Sequence, residues 1–249
     1  MSSALDQILL IPGIGRRSGP TEFILTVKTD NAGTSNDDQM TLPIIGGTYN
    51  VDWGDGSSIE TGLSGTQTHT YPVAGTYTVR ISGTFDRFNF NNGGDRQKLL
   101  TIDGLYLGIA TTASGDFYGC GLPSIPDSMT LASLTNGSDM FFDNSLTSLP
   151  AGMTLVSLTN GTDMFRDNSL TFLPSGMTLE SLTNGTDMFV GNTINTAGYS
   201  NLLISMEANN ANNNVSFHGG SSKYNSAGGV ARAALVARGW TITDGGEEV

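Results

Sequence analysis

Few side chains in this chain could do acid–base or covalent chemistry. The two histidines are His69, inside Thr68-His-Thr-Tyr71, and His218, inside a Gly/Ser/Asn-rich stretch with no acidic neighbour in sequence. A hydrolytic triad needs a nucleophile, a base and an orienting group in contact. No nucleophile elbow is present, and Cys120, the single cysteine, has no evident base beside it. One cysteine also excludes an intrachain disulfide and a Cys-based zinc site. Gly13-Ile-Gly15 lacks the preceding strand, the Lys-Ser/Thr pair and the following helix of a phosphate loop, so no nucleotide cofactor is expected.

The carboxylates offer more. Asp52 and Asp55 flank Trp53-Gly54, and Asp37-Asp38 lie in an earlier loop. Carboxylates on adjacent loops can hold calcium, which wants about six to eight oxygens. The favoured reading is that Asp55 shapes the turn by accepting local backbone N–H groups, with no resident metal. Asp139, Asp163 and Asp187 recur every 24 residues and would stack as a column of like charges. Asn-Gly-Thr-Asp-Met-Phe predicts that each Asp or Thr caps a short helical turn at Met-Phe. Asn136-Gly-Ser, Asn160-Gly-Thr and Asn184-Gly-Thr match glycosylation sites formally, but they recur because the turn recurs. Paired catalytic carboxylates from distant loops, as in glycosidases, are the remaining enzymatic alternative.

Recognition is the stronger expectation. Between the repeated units most positions are fixed, while three columns change: Ala132/Val156/Glu180, Phe142/Arg166/Val190 and Ser148/Phe172/Thr196. Aromatic and Arg side chains dominate interface energetics. Phe142 and Arg166, one repeat apart, are expected side by side on one face, unless Phe142 packs under a degenerate first repeat. Phe172 is the third candidate binding residue, on another face.

These residues must be positioned by β structure. Phe23 to Val27, Tyr49 to Trp53 and Gly75 to Ile81 alternate apolar and polar residues, with Gly, Asn and Asp between the runs, which predicts a half-buried antiparallel sandwich over residues 21–83. Residues 1–20 stand apart as an arm: a short helix over Met1 to Leu10, then a breaker, Pro12 to Pro20. It reads as a frayed terminus or a segment that docks on a neighbouring subunit. Residues 84–104 read as a connector leading into repeats over 105–225. Leu134-Thr-Asn-Gly-Ser-Asp-Met-Phe141 returns from Leu158 and again from Leu182, and the same step links Leu122, Leu146 and Leu170. Phe117 opens a degenerate earlier copy, in which Cys120 replaces Asn144 and Asn168 as a small core or corner residue. Such units must stack to bury their apolar sides. Leu146-Thr-Ser-Leu149 reads as the strand of each unit and Asn-Gly as its corner. Residues 226–249 read as a cap: a helix from Ser226 to Arg238 stopped by Gly239, a strand over Trp240 to Thr243, and an acidic tail.

Val51-Asp-Trp-Gly-Asp-Gly56, Thr68-His-Thr-Tyr71 and Gly75-Thr-Tyr-Thr-Val79 together resemble the signature of PKD-type domains. The resemblance implies an immunoglobulin-like sandwich with a display role. Residues from about Asp95 to Asp244 resemble BspA-like leucine-rich repeat proteins, through Lys98-Leu-Leu-Thr-Ile-Asp103, Phe117-Tyr-Gly-Cys120, the 24-residue units and the Arg-Gly-Trp-Thr-Ile-Thr-Asp-Gly-Gly ending. Relatives of that kind are bacterial surface adhesins and phage virion proteins. The units here are more regular and richer in Asn-Gly than the usual pattern.

Composition narrows the partners. The formal charge is −12, with lysine only at Lys28, Lys98 and Lys223. Such a surface repels phosphate backbones and anionic membranes. Ile8 to Ile11 is too short to span a bilayer, and with no basic run before it and no small-residue cleavage site after it, it is not expected to act as a secretory signal. The expectation is therefore a mainly β chain, an immunoglobulin-like β-sandwich followed by a short leucine-rich-repeat-type solenoid with a C-terminal helix-strand cap. Its expected role is that of a non-enzymatic phage virion protein, a tail fibre or receptor-binding component. The arm and PKD-like domain would meet other virion proteins, and the repeats a host glycan or protein, in a multi-copy or homo-oligomeric assembly. A capsid or tail decoration protein and a bacterial cell-surface adhesin are the alternatives.

Overall fold

The computed structural model describes residues 22–104, 111–129 and 131–248, and the protein is mainly β. The arm over residues 1–20, with its expected helix, lies outside the described residues. Five strands make one antiparallel sheet in the order β5-β4-β7-β1-β9: β1 (Glu22–Lys28), β4 (Thr48–Asp52), β5 (Glu60–Leu63), β7 (Thr76–Thr84) and β9 (Leu99–Ile102). Alternation drives this sheet. Phe23, Leu25 and Val27 of β1 are fully buried and face the same way as Val79 and Ile81 of β7, while the residues between them are partly exposed. Two further antiparallel pairs, β2 (Gln39–Leu42) with β6 (Gln67–Thr70) and β3 (Ile44–Ile45) with β8 (Arg87–Phe88), add Met40, Leu42, Ile44 and Phe88 to the same hydrophobic cluster.

The stretch expected as a connector, 84–104, supplies β8 and β9 to this first module. It also supplies a polar bolt. The fully buried Lys98 ammonium donates to the carbonyls of Ser35, Asn36 and Gln39 and to the Ser35 hydroxyl, at 2.7–3.2 Å. Nearby, Asp95 accepts from the backbone of Thr34, Ser35 and Thr41. A buried ammonium surrounded by four acceptors has replaced its hydration shell, which ties loop 31–38 to the chain that leaves the module.

The 24-residue units then stack. Parallel bridges join Thr112 to Asn136, Asn136 to Asn160 and Asn160 to Asn184, and β10 (Asn184–Gly185) passes the ladder on to β11 (Ser216–His218) and β12 (Thr241–Thr243). The inter-unit ladder thus runs through Thr-Asn-Gly. The strand expected at Leu146-Thr-Ser-Leu149 does not form; these residues are irregular. Backbone N–H groups of residues 137, 139, 141 and 143 donate to the carbonyls of residues 160, 162, 164 and 166, at 2.9–3.0 Å. Aligning those donors requires two left-handed residues per unit. Gly115, Asp139, Asp163 and Asp187 occupy one such position, with φ 54–73°, and Gly119, Asp143, Asp167 and Gly191 the other, with φ 50–81°.

This accounts for the recurring aspartates, and the capping expectation is corrected. Asp tolerates the left-handed region better than most residues. The cap is the preceding asparagine: Asn160 Oδ1 accepts from the backbone N–H and hydroxyl of Thr162, as Asn136 does from Ser138 and Asn184 from Thr186.

Inside the stack, Phe117, Phe141, Phe165 and Phe189 form an aromatic spine with centroids 5.6–5.8 Å apart. Phe88 of the first module sits 6.1 Å from Phe117, and Phe217 of β11 sits 6.1 Å from Phe189. Beside the spine runs an asparagine ladder. Asn144, Asn168 and Asn192 accept from the N–H of Leu122, Leu146 and Leu170 in the preceding unit and donate to the carbonyls of Phe117, Phe141 and Phe165. Cys120 holds this place in the first unit and is buried there. At the other end the Ser222 hydroxyl takes over, accepting from Ile194 N–H at 3.0 Å.

Two helices close the stack. α1 (Thr196–Asn209) was not anticipated from the sequence; it starts where Asn195 accepts from Gly198 N–H and buries Tyr199, Leu202, Leu203 and Met206. α2 (Ser226–Ala237) packs on it, and Arg232 of α2 bonds Asp244 at 2.8 Å.

Candidate functional site

Phe142 and Arg166 are brought together. The Arg166 guanidinium carbon lies 5.3 Å from the Phe142 ring centroid, and the ring stacks on Tyr118 at 4.5 Å and 10°. Tyr118, Phe142, Arg166 and Val190 thus make one half-buried column on the outside of the stack. Phe142 does pack under the degenerate first unit, and it also supports Arg166. The arginine is flanked by Asp163 at 3.0 Å, Asp187 at 3.5 Å and Asp167 at 3.6 Å. Its pKa is raised, chiefly by the Asp163 hydrogen bond. Burial raises the Asp139 carboxyl, reinforced by the Asp163 charge. The column offers a flat aromatic–guanidinium face with an acidic border, suited to stacking and polar recognition. Tyr118 was missed in the sequence because the first unit is degenerate; only its place one step before Phe142 signals it.

Phe172 is separate from this column. It is 61% exposed and, with Pro174, Met177 and Leu202, borders a groove of about 190 Å³ against α1. The structure therefore places the three candidate residues at two sites.

The potentially catalytic groups are engaged elsewhere. His69 Nε2 lies 2.8 Å from Asp55 Oδ2 and Nδ1 lies 3.7 Å from Glu60, while its ring stacks on Trp53 at 4.7 Å. His218 Nδ1 accepts from Gly220 N–H. Burial pushes the Cys120 thiol well above its ordinary range, which disfavours the nucleophilic thiolate. Asp52 and Asp55 accept from the N–H groups of Gly54 and Ser57, shaping the turn between them. Among the described residues, no three His, Cys, Asp or Glu side chains come together as a metal site.

The Asp55–His69 pair leads to a prediction about stability. Burial would raise the Asp55 carboxyl, but hydrogen bonds from Ser57 and His69 outweigh it and hold the pKa at about 2. A carboxyl lowered by folding stabilises the protein above its unfolded value, and that contribution is lost as the pH falls through the folded value. Thermal melts should therefore drop as pH falls from 3.8 towards 2. Asp55→Asn should cost about 1–3 kcal/mol at neutral pH and flatten that part of the profile. An unchanged profile in the variant would assign the drop to other carboxylates.

Comparison of the chain with models of known protein families, with characterised proteins and with solved structures finds no match. Among the described residues no helix is long and apolar enough to cross a membrane.

Proposed function

We propose that this chain is a non-enzymatic attachment protein, a phage tail fibre or receptor-binding component. In this reading residues 22–104 are an immunoglobulin-like, PKD-type sandwich and the stacked units are a leucine-rich-repeat-type solenoid. The observation that carries it is the contrast between columns. The buried Phe, Asn, Leu and Met positions repeat from unit to unit, whereas the outward column reads Tyr118, Phe142, Arg166, Val190. A scaffold held constant beneath a changing face is what recognition requires, and the acidic surface suits a partner other than nucleic acid. The first module and the arm would anchor the chain to its particle, and the column would meet a host glycan or protein.

The test is binding of the fluorescently labelled full chain to candidate host cells, with a Phe142→Ala/Arg166→Ala variant alongside. The Arg166 ion pairs are partly exposed and should contribute at most about 1 kcal/mol to stability, Phe142 is half-buried, and circular dichroism of the variant checks that it stays folded. Saturable binding by the wild type, weakened at least about tenfold (about 1.4 kcal/mol) in the variant, is expected. Absence of binding to every candidate host would overturn the receptor-binding reading and favour a capsid or tail decoration subunit, which should copurify with particles at shell stoichiometry.

A further inference from the structure

We propose that the crevice between the first module and the repeats is a subsite for a neutral saccharide. The crevice measures about 450 Å³, within the range of about 300–1,000 Å³ typical of small-molecule sites, which favour such boundaries between domains. One wall carries Asn31, Arg96 and Gln97; the other carries Gly119, Asp143 and Ser145.

Arg96 is held in place by its surroundings. Its Nε donates to Asn92 Oδ1 at 2.8 Å, and the loop that delivers it carries left-handed residues at Asn91, Asn92 and Gly94, with φ 45–60°. Backbone bonds from Asn91 to Gly115 and from Gly93 to Phe90, both at 2.9 Å, fix that loop. Gly119 makes room for the arrangement: a Cβ there would lie 2.5 Å from Asn92 Oδ1 and 2.7 Å from Arg96 Nε. The next two units carry Asp143 and Asp167 at this position, so the first unit alone of these three opens the wall. The terminal nitrogens of Arg96 make no hydrogen bond or ion pair among the described residues, and neither does the Asp143 carboxylate.

The lining selects the ligand. It is polar, which disfavours an apolar guest, and its one cation, Arg96, faces one anion, Asp143, a balance that suits a neutral ligand. A guanidinium fork donates to a pair of acceptors, a carboxylate accepts from a pair of hydroxyls, and amides do both. Vicinal hydroxyls of a neutral pyranose satisfy all three. Tyr118 and Phe142 of the aromatic column immediately precede Gly119 and Asp143 in sequence. The inference rests on the attachment reading and names its ligand class.

The test uses the full ¹⁵N-labelled chain titrated separately with the methyl glycosides of glucose, galactose and mannose and with N-acetylglucosamine. Single sugars held by a few hydrogen bonds should saturate with a Kd of about 1–10 mM, so titration to about 100 mM covers the range. Saturable amide shifts at Gln97, Gly119, Asp143 and Ser145 are expected. Arg96→Lys, which keeps the charge but loses the fork, and Asp143→Gly, which removes the carboxylate but keeps the left-handed backbone that Gly119 and Gly191 adopt at the same position, should each weaken them at least about tenfold with the rest of the spectrum unchanged. No saturable shift with any of the four sugars, or shifts confined to residues outside the crevice, would overturn the subsite. Cell binding that survives in Arg96→Lys and Asp143→Gly would then leave the attachment reading standing, whereas its absence in the wild type removes that reading independently.

Discussion

Replacing Asn168 with alanine is expected to lower the unfolding free energy by about 3–5 kcal/mol, because several buried backbone groups lose their partners together. Asn168 is 7% exposed; its Oδ1 accepts from Leu146 N–H at 3.0 Å, and its Nδ2 reaches the carbonyls of Phe141 at 2.8 Å, Phe165 at 3.0 Å and Arg166 at 3.2 Å. An unpaired buried group costs about 1–3 kcal/mol, and water has little access to repair the gap. Urea titration followed by circular dichroism reads the loss. Asn168→Asp sharpens the test: it keeps the acceptor but turns a negative oxygen towards carbonyls. The buried aspartate would have a raised pKa, so its variant should be most stable at acidic pH and lose stability as pH rises. A cost below about 1 kcal/mol for the alanine variant would show that the units are held by the phenylalanine spine instead.

The repeat was legible because selection for stacking leaves a period, and Leu134, Leu158 and Leu182 expose it. The alignment even set Cys120 against Asn144 and Asn168, but a sequence does not say which way a side chain turns. The ladder appears only when the Oδ1 of one unit meets the N–H of another. The aspartates misled for a related reason. Asp is common both at helix caps and in left-handed turns, and local sequence does not separate them. α1 carried a usable signal, with Tyr199, Leu202, Leu203 and Met206 at helical spacing behind Asn195. It was obscured by the Asn- and Gly-rich surroundings and by the expectation of another unit. In the first module the alternation of β1, β4 and β7 could be read directly. The return of β9 to pair with β1 is a contact of long sequence separation that no local pattern encodes. Arg96 was missed as a candidate for that reason: its position depends on the returning chain.

The junction between the two parts yields the other large effect. Arg87 donates from Nε and Nη2 to Asp116 Oδ1 at 2.9 and 2.7 Å, and Asn89 adds a bond to the same oxygen at 3.1 Å. The Asp116 side chain is fully buried and that of Arg87 is 22% exposed. Backbone bonds from Phe90 to Asp116 and from Asn91 to Gly115 lie alongside, and Phe88 continues the ring stack into Phe117. Removing one partner of such a pair leaves an uncompensated, half-buried charge, so Asp116→Ala should cost about 3–5 kcal/mol. The more informative consequence concerns cooperativity. Trp53 is buried in the first module and Trp240 in the C-terminal cap, so Trp53→Phe and Trp240→Phe variants report each end separately by fluorescence. In the otherwise native chain the two denaturation midpoints should coincide, and with Asp116→Ala they should separate. For the proposed attachment role a rigid junction matters, because a hinge there would add orientational entropy to every binding event. Coincident midpoints in the Asp116→Ala chain would mean that the shared aromatic core alone keeps the two parts folding as one.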